Sequence, residues 1–113
     1  MPKYKLTYFD IDGGRAEPLR IAFHTAGINF EDKRISFPEF GEMRSDTRFN
    51  SVPVLDIDGA QITQSNAISR YVGKMGGLYP ADDLQALYCD EVLDALEDIS
   101  PITSFKLLGC RER

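Results

Sequence analysis

Val52-Pro53-Val54-Leu55-Asp56-Ile57-Asp58-Gly59-Ala60-Gln61-Ile62-Thr63-Gln64-Ser65-Asn66-Ala67-Ile68 is the stretch on which the fold turns. Residues 53–57 read as a strand opened by a proline, and Asp58-Gly59 is a two-residue hairpin signal. Gln61-Ile62-Thr63 returns as the partner strand. Ile68, Tyr71 and Val72 then set a helical period that ends at Gly76-Gly77. The Gln64-Ser65 step brings an amide, a hydroxyl and the first N–H groups of a helix to one point, a chemistry suited to a carboxylate. Serine is also a good N-cap and glutamine a common hairpin residue, so the pair has a purely local reading as well.

Outward from this hairpin the periods are equally clear. Tyr4, Leu6 and Tyr8 alternate with Lys3, Lys5 and Thr7, the pattern of a strand. Gly13-Gly14 breaks it. From Arg15 to Ala26 the apolar residues Ala16, Leu19, Ala22, Phe23 and Ala26 recur at helical steps, with Pro18 in the first turn and Gly27 as the stop. A second strand reads over 29–35, and Ser36-Phe37-Pro38-Glu39 opens a short helix to about Arg44. Phe37, Phe40 and Phe49 are expected to pack beneath this crossover, and 46–51 reads as loop. The order is βαβ, then a helical crossover, then ββα.

A βαβ unit followed by an antiparallel pair and a closing helix is the thioredoxin-like α/β arrangement. Residues 1–77 are assigned to it, 78–81 to a linker, and 82–113 to the start of an otherwise missing all-α domain. That start is an acidic amphipathic helix over about 82–99, apolar at Leu84, Leu87, Tyr88, Val92, Ala95, Leu96 and Ile99. Its apolar stripe needs a second domain or a partner chain to cover it. Ser100-Pro101 is expected to break the helix and leave an irregular tail over 100–113.

Composition narrows the functional classes. The chain has 113 residues, 42% hydrophobic and 27% charged, enough for one modest core. A net charge of −5 leaves no basic stripe to replace phosphate counterions, which argues against nucleic acid. No apolar run approaches the roughly 20 residues of a membrane span. The N-terminus enters a strand pattern at once, without the apolar core of a secretory signal. Cys89 and Cys110 are isolated, so a reducing, cytoplasmic setting is expected. Without C-x-x-C, dithiol exchange on the chain's own residues is disfavoured.

Tyr8, at the end of the first strand, is either an ordinary strand residue or a hydroxyl donor to a bound thiolate, which would favour the ionised sulfur. Pro53 is either an edge device or a cis-proline that leaves the Val52 backbone to pair with an extended ligand. Arg15 could meet a ligand carboxylate or Glu17. His24 and Cys89 read as packed or surface residues. Asp90, Asp94, Glu97 and Asp98 share much of one helix side, read as an acidic solvated or interface face with no metal assigned.

The segments Tyr4-Lys5-Leu6-Thr7-Tyr8-Phe9, Gly14-Arg15-Ala16-Glu17, Ala26-Gly27-Ile28, Val52-Pro53-Val54-Leu55, Gln64-Ser65 with Ala67-Ile68, and Arg70-Tyr71 together resemble the glutathione transferases. The resemblance is to the sigma-like class, which includes haematopoietic prostaglandin D synthase, and it runs to about Ile99. It implies a thioredoxin-like domain that binds glutathione as co-substrate, with no further cofactor, and activates its thiol for attack on a small electrophile. Prostaglandin isomerisation is a narrower option. The alternative is a non-catalytic module of the same fold, or a truncated splice product.

By position, the resemblance implies that Tyr8 activates the thiol and that Arg15 supports the site. Val52, before a cis-Pro53, would pair with the cysteinyl moiety, and Gln64 and Ser65 would hold the γ-glutamyl carboxylate. Arg44 would meet the glycyl carboxylate, and Asp98 would reach across a homodimer to the amino group. Phe40 stands where many relatives have tryptophan and offers no N–H. Ser51 is shorter than the usual polar residue there. The Asp10-Ile11-Asp12-Gly13-Gly14 turn is one residue longer and more acidic than the common form, which bears on where Arg15 stands.

Overall fold

The structure, a computed structural model, describes the backbone of residues 2–112 and the side chains of residues 2–99. The elements are β1 (Tyr4–Phe9), α1 (Glu17–Ala26), β2 (Glu31–Ile35), α2 (Phe37–Met43), β3 (Val54–Ile57), β4 (Ala60–Thr63), α3 (Ser65–Met75) and α4 (Asp83–Glu112). Two short 3₁₀ turns, Arg44–Asp46 and Arg48–Asn50, lie between α2 and β3. The four strands form one sheet in the order β2-β1-β3-β4. β1 runs parallel to β2 and antiparallel to β3, and β3 is antiparallel to β4. This is the thioredoxin-like topology, followed by a helix. The chain divides into two compact units, Met1–Leu78 and Tyr79–Arg113.

Side-chain alternation on β1 builds the core of the first unit. Tyr4, Leu6 and Tyr8 point to one face, where they meet Leu19 and Phe23 of α1, Leu55 of β3, and Ile68 and Val72 of α3. Leu6, Leu19, Phe23, Leu55, Ile68 and Val72 are fully buried, each worth about 1.5–3 kcal/mol of burial. Phe9 takes the other face and packs against Phe37 and Phe40 of α2, with ring centroids 4.5 and 5.3 Å away. The β1 terminus therefore turns Tyr8 toward the α1–α3 core and Phe9 toward α2, with the two rings still in edge contact at 5.3 Å.

Local chemistry sets the ends of the elements. The Ser36 hydroxyl accepts the Glu39 N–H at 3.2 Å while the Glu39 carboxylate accepts the Ser36 N–H at 3.1 Å, a reciprocal cap for α2. That exchange holds the Glu39 carboxyl below its ordinary range, the backbone bond from Ser36 being the main cause. Asp58 and Gly59 take φ of 49° and 90°, the left-handed pair of a tight hairpin. The Asp58 carboxylate also accepts the Lys3 N–H at 2.8 Å, fastening the hairpin to the start of β1.

Four expectations need correction. β2 begins at Glu31 rather than Asn29, and α1 begins at Glu17 rather than Arg15. Phe49 does not pack beneath the crossover but is exposed in the turn after α2, and Phe37, although its ring lies against Phe9, leaves most of its surface exposed. The fourth concerns the last helix, which does not stop near Ile99 but continues to Glu112. An interior proline costs a helix one backbone donor and a clash with the preceding turn, about 3 kcal/mol, and α4 runs through Pro101 despite that cost. In the second unit the Tyr79 hydroxyl donates to both Asp90 carboxylate oxygens at 2.9 and 3.0 Å, tying the approach to α4 to its second turn. Leu84, Leu87, Tyr88, Val92, Leu96 and Ile99 of that helix are exposed. No described helix is long and apolar enough to cross a membrane.

Candidate functional site

A cleft of about 330 Å³ opens between the turn that precedes α1, the segment leading into β3 and the start of α3, lined by Arg15, Phe49, Ser51, Val52, Pro53, Gln64 and Ser65. Its floor is the start of β3. The Val52-Pro53 peptide bond is cis, and Pro53 is buried while Val52 is half-buried. Its far wall is the start of α3. Gln64 occupies the N-cap position with φ 76° and ψ 104°, and its side chain makes no capping hydrogen bond. Ser65 is thus the first helical residue rather than the N-cap. A non-glycine residue in such a region stores roughly 1–3 kcal/mol of strain. The amide of Gln64, exposed, and the hydroxyl of Ser65, half-buried, are presented to the cleft instead of being used on their own helix.

The near wall depends on the segment between α2 and β3. The buried Thr47 accepts the Ser51 N–H at 3.0 Å and donates to the Arg44 carbonyl at 2.7 Å. Gln61 of β4 accepts the Arg48 N–H at 2.8 Å and donates to the Asp46 carbonyl at 3.3 Å. These bonds hold Phe49 and Asn50 in left-handed conformations, φ 60° and 51°, with Phe49 73% exposed at the cleft edge.

Tyr8 stands behind this cleft. It is 8% exposed and its ring belongs to the core, flanked by Phe9 at 5.3 Å. Its hydroxyl oxygen accepts the Arg15 N–H at 3.2 Å. Accepting uses a lone pair and leaves the phenolic proton available to donate. Gly14, at φ 71°, lies so close that a Cβ built there would stand 2.7 Å from the Tyr8 oxygen. Only glycine fits that contact and that conformation together.

The turn that carries Gly14 and Arg15 is tied down by Arg20, a residue the periodicity of α1 did not single out. Arg20 is 5% exposed. Its Nη1 donates to the Ile11 carbonyl at 3.0 Å and to Glu17 at 3.2 Å, its Nη2 to the Phe9 carbonyl at 3.4 Å, and its Nε to Asp32 at 3.2 Å. Glu17 in turn accepts the Gly13 N–H at 3.2 Å. Arg34 of β2 meets the acidic turn from outside, within 3.4 Å of Asp10, 3.5 Å of Asp12 and 3.1 Å of Asp32. These carboxylates, with the Asp32 hydrogen bond first, raise the Arg34 pKa.

Of the residues singled out in the sequence, Arg15, Val52, Pro53, Gln64 and Ser65 come together in the cleft, and Tyr8 is joined to it through the Arg15 N–H without lining it. Phe40 and Arg44 form a pair of their own, the guanidinium 5.8 Å from the ring centre, and do not line the cleft. Asp98 is exposed on α4, in the second unit. His24 is exposed and edge-on to Phe30. Among the described residues, no three or more His, Cys, Asp or Glu side chains gather to hold a metal ion.

The fold and cleft define a thioredoxin-like domain without a dithiol pair, whose polar groups converge on a cis-proline corner. Comparison with known proteins carries this to a family. The family model described as "Glutathione S-transferase, N-terminal domain" matches residues 4–74. Glutathione S-transferase 1 of Ascaris suum is 40% identical over 98 residues, covering 87% of this chain and 47% of that protein. Human hematopoietic prostaglandin D synthase is 39% identical, covering 87% of this chain and 49% of its own. Among solved structures, the glutathione S-transferase from Ascaris lumbricoides superposes with a TM-score of 0.87 at 36% identity, covering 99% of this chain and 55% of that one. Prostaglandin synthase D of Nilaparvata lugens does so at 0.84 and 39% identity, covering 91% and 53%. The chain belongs to the glutathione S-transferase family, in the sigma-like class related to prostaglandin D synthases. It spans about half the length of these relatives.

Proposed function

We propose that this chain binds glutathione in the cleft at Val52–Ser65 and activates its thiol for attack on a small electrophile. The γ-glutamyl carboxylate would sit against the Gln64 amide, the Ser65 hydroxyl and the first N–H groups of α3, where the helix end favours an anion. The cysteinyl backbone would pair with Val52. Arg44, beside Phe40, would meet the glycyl carboxylate. Tyr8 would donate its phenolic proton to the sulfur, a charge-assisted bond that favours thiolate over thiol. An acidic chain of net charge −5 needs local cations to hold a peptide that carries two carboxylates, and Arg15 supplies one in the cleft.

The observation that carries this reading is the Gln64-Ser65 corner, held in a strained conformation with neither side chain spent on capping. Conjugation of a chromogenic aryl halide tests the catalytic half. Tyr8→Phe should lower the rate on the order of 10²-fold, as loss of one donor to a developing anion does elsewhere. An unchanged rate removes Tyr8 from its role. A second reading, glutathione binding without turnover, is favoured by the position of Tyr8 behind the cleft wall rather than in it. Retention on immobilised glutathione without conjugation would establish that reading. A cytoplasmic location and pairing of two copies, with Asp98 reaching the partner's site, belong to the same proposal.

A further inference from the structure

We propose that Arg20 is the positioning residue for the Tyr8 hydroxyl, an inference that rests on the glutathione reading above. Two sets of contacts meet in the turn between β1 and α1. On one side Arg20 gathers the Phe9 and Ile11 carbonyls and the Glu17 carboxylate, and through Glu17 the Gly13 N–H. On the other side the same turn delivers the Arg15 N–H to the Tyr8 oxygen at 3.2 Å and sets Gly14 against it. The guanidinium carbon also lies 5.9 Å from the centre of the Tyr8 ring. Arg20 therefore grips the turn on which the hydroxyl rests and borders the ring that carries it.

The charges around Arg20 explain why a guanidinium is required. Glu17 on α1 and Asp32 on β2 balance its charge directly, and Arg34 shares Asp32 while drawing Asp10 and Asp12 to the outside of the turn. The planar fork reaches two carbonyls and two carboxylates from one buried position. Lysine keeps the charge and most of the stem but concentrates its donors on one nitrogen and cannot reproduce that span. With the fork gone, the turn keeps its sequence but loses the carbonyl anchors that fix Gly14 and Arg15 over Tyr8. Displacements near 1 Å in a reacting site cost on the order of 10²-fold in rate.

The test uses the full chain saturated with glutathione and follows the thiolate band in the near ultraviolet against pH. Wild type, Arg20→Lys, Arg20→Met, Tyr8→Phe and the Tyr8→Phe/Arg20→Lys double variant are compared. Arg20→Lys should still be retained on immobilised glutathione, since the Gln64-Ser65 corner is untouched. Its bound thiol should titrate about one unit higher, roughly a tenfold loss of thiolate below the midpoint. The double variant should titrate as Tyr8→Phe alone, because both changes remove the same interaction. A folded Arg20→Lys protein that titrates as wild type overturns the proposal, as do shifts that simply add. Should Arg20→Met fail to fold, the lysine variant decides the matter. If Tyr8→Phe itself leaves the titration unchanged, the glutathione reading falls and this inference with it; if only the Arg20 variants do, the inference alone falls.

Discussion

Replacing Gly14 by alanine should destabilise the first unit far more than the same change at its neighbour Gly13. Both residues are left-handed, at φ 71° and 84°, so alanine costs roughly 1–2 kcal/mol at either through the backbone alone. The surroundings differ. A Cβ at Gly13 meets nothing within 4 Å, whereas one at Gly14 stands 2.7 Å from the Tyr8 oxygen and 3.0 and 3.2 Å from its Cε2 and Cζ. Tyr8 has little room to yield, being packed against Phe9, bordered by Arg20 and bonded to the Arg15 N–H. Overpacking of this kind adds about 1–3 kcal/mol. For a unit this size each kcal/mol lowers Tm by roughly 4–8 °C, so thermal unfolding resolves the difference between the two variants. Adding Tyr8→Phe to Gly14→Ala removes the atom in closest contact and should recover part of the loss. Equal destabilisation at Gly13 and Gly14 would refute the contact between the turn and Tyr8.

Three further outcomes follow from other contacts. Gln64→Ala removes an exposed amide that caps nothing, so stability should change by less than about 0.5 kcal/mol while retention on immobilised glutathione collapses; a large fall in Tm would give Gln64 a structural role. Tyr4 is pushed up to about 12, chiefly by its hydrogen bond with the Tyr71 hydroxyl at 3.0 Å and then by burial. A raised phenol pKa contributes stability that is whole below the ordinary 10.0 and is lost as pH climbs through the folded value, so Tyr71→Phe should bring Tyr4 down in a spectrophotometric titration, lower stability below pH 10 and flatten its decline above. Glu39, held low chiefly by the Ser36 backbone N–H, contributes stability that is present above its ordinary 4.5 and is lost as pH falls through the depressed value; Glu39→Gln, which removes the titrating group, should flatten that acid limb in unfolding curves recorded against pH.

How much of this was legible beforehand can be judged residue by residue. The hairpin was, because Asp58-Gly59 is a local signal that needs no tertiary context, and so was the Ser36–Glu39 cap. That Pro53, Gln64 and Ser65 would be neighbours was legible as well, since the hairpin between them brings its two ends together, and they line one cleft. Arg20 was not. Beside Leu19 on a helix an arginine reads as solvated, and its partners Phe9, Ile11 and Asp32 are brought to it only by the turn and the parallel strand. The one sequence trace was Glu17 at helical spacing. Phe49 escaped for a different reason. The left-handed backbone at Phe49 and Asn50 is imposed by Thr47 and Gln61 through hydrogen bonds to the main chain, and no glycine marks it. The continuation of α4 beyond Ser100 ran against a breaker rule that states a cost rather than a prohibition.

A crystal structure of the chain with glutathione tests the central claim most directly. The account predicts the sulfur within hydrogen-bond reach of the Tyr8 oxygen, with the γ-glutamyl carboxylate on Gln64 and Ser65. A peptide held at that corner with its sulfur turned away from Tyr8, or one bound elsewhere on the chain, would contradict it.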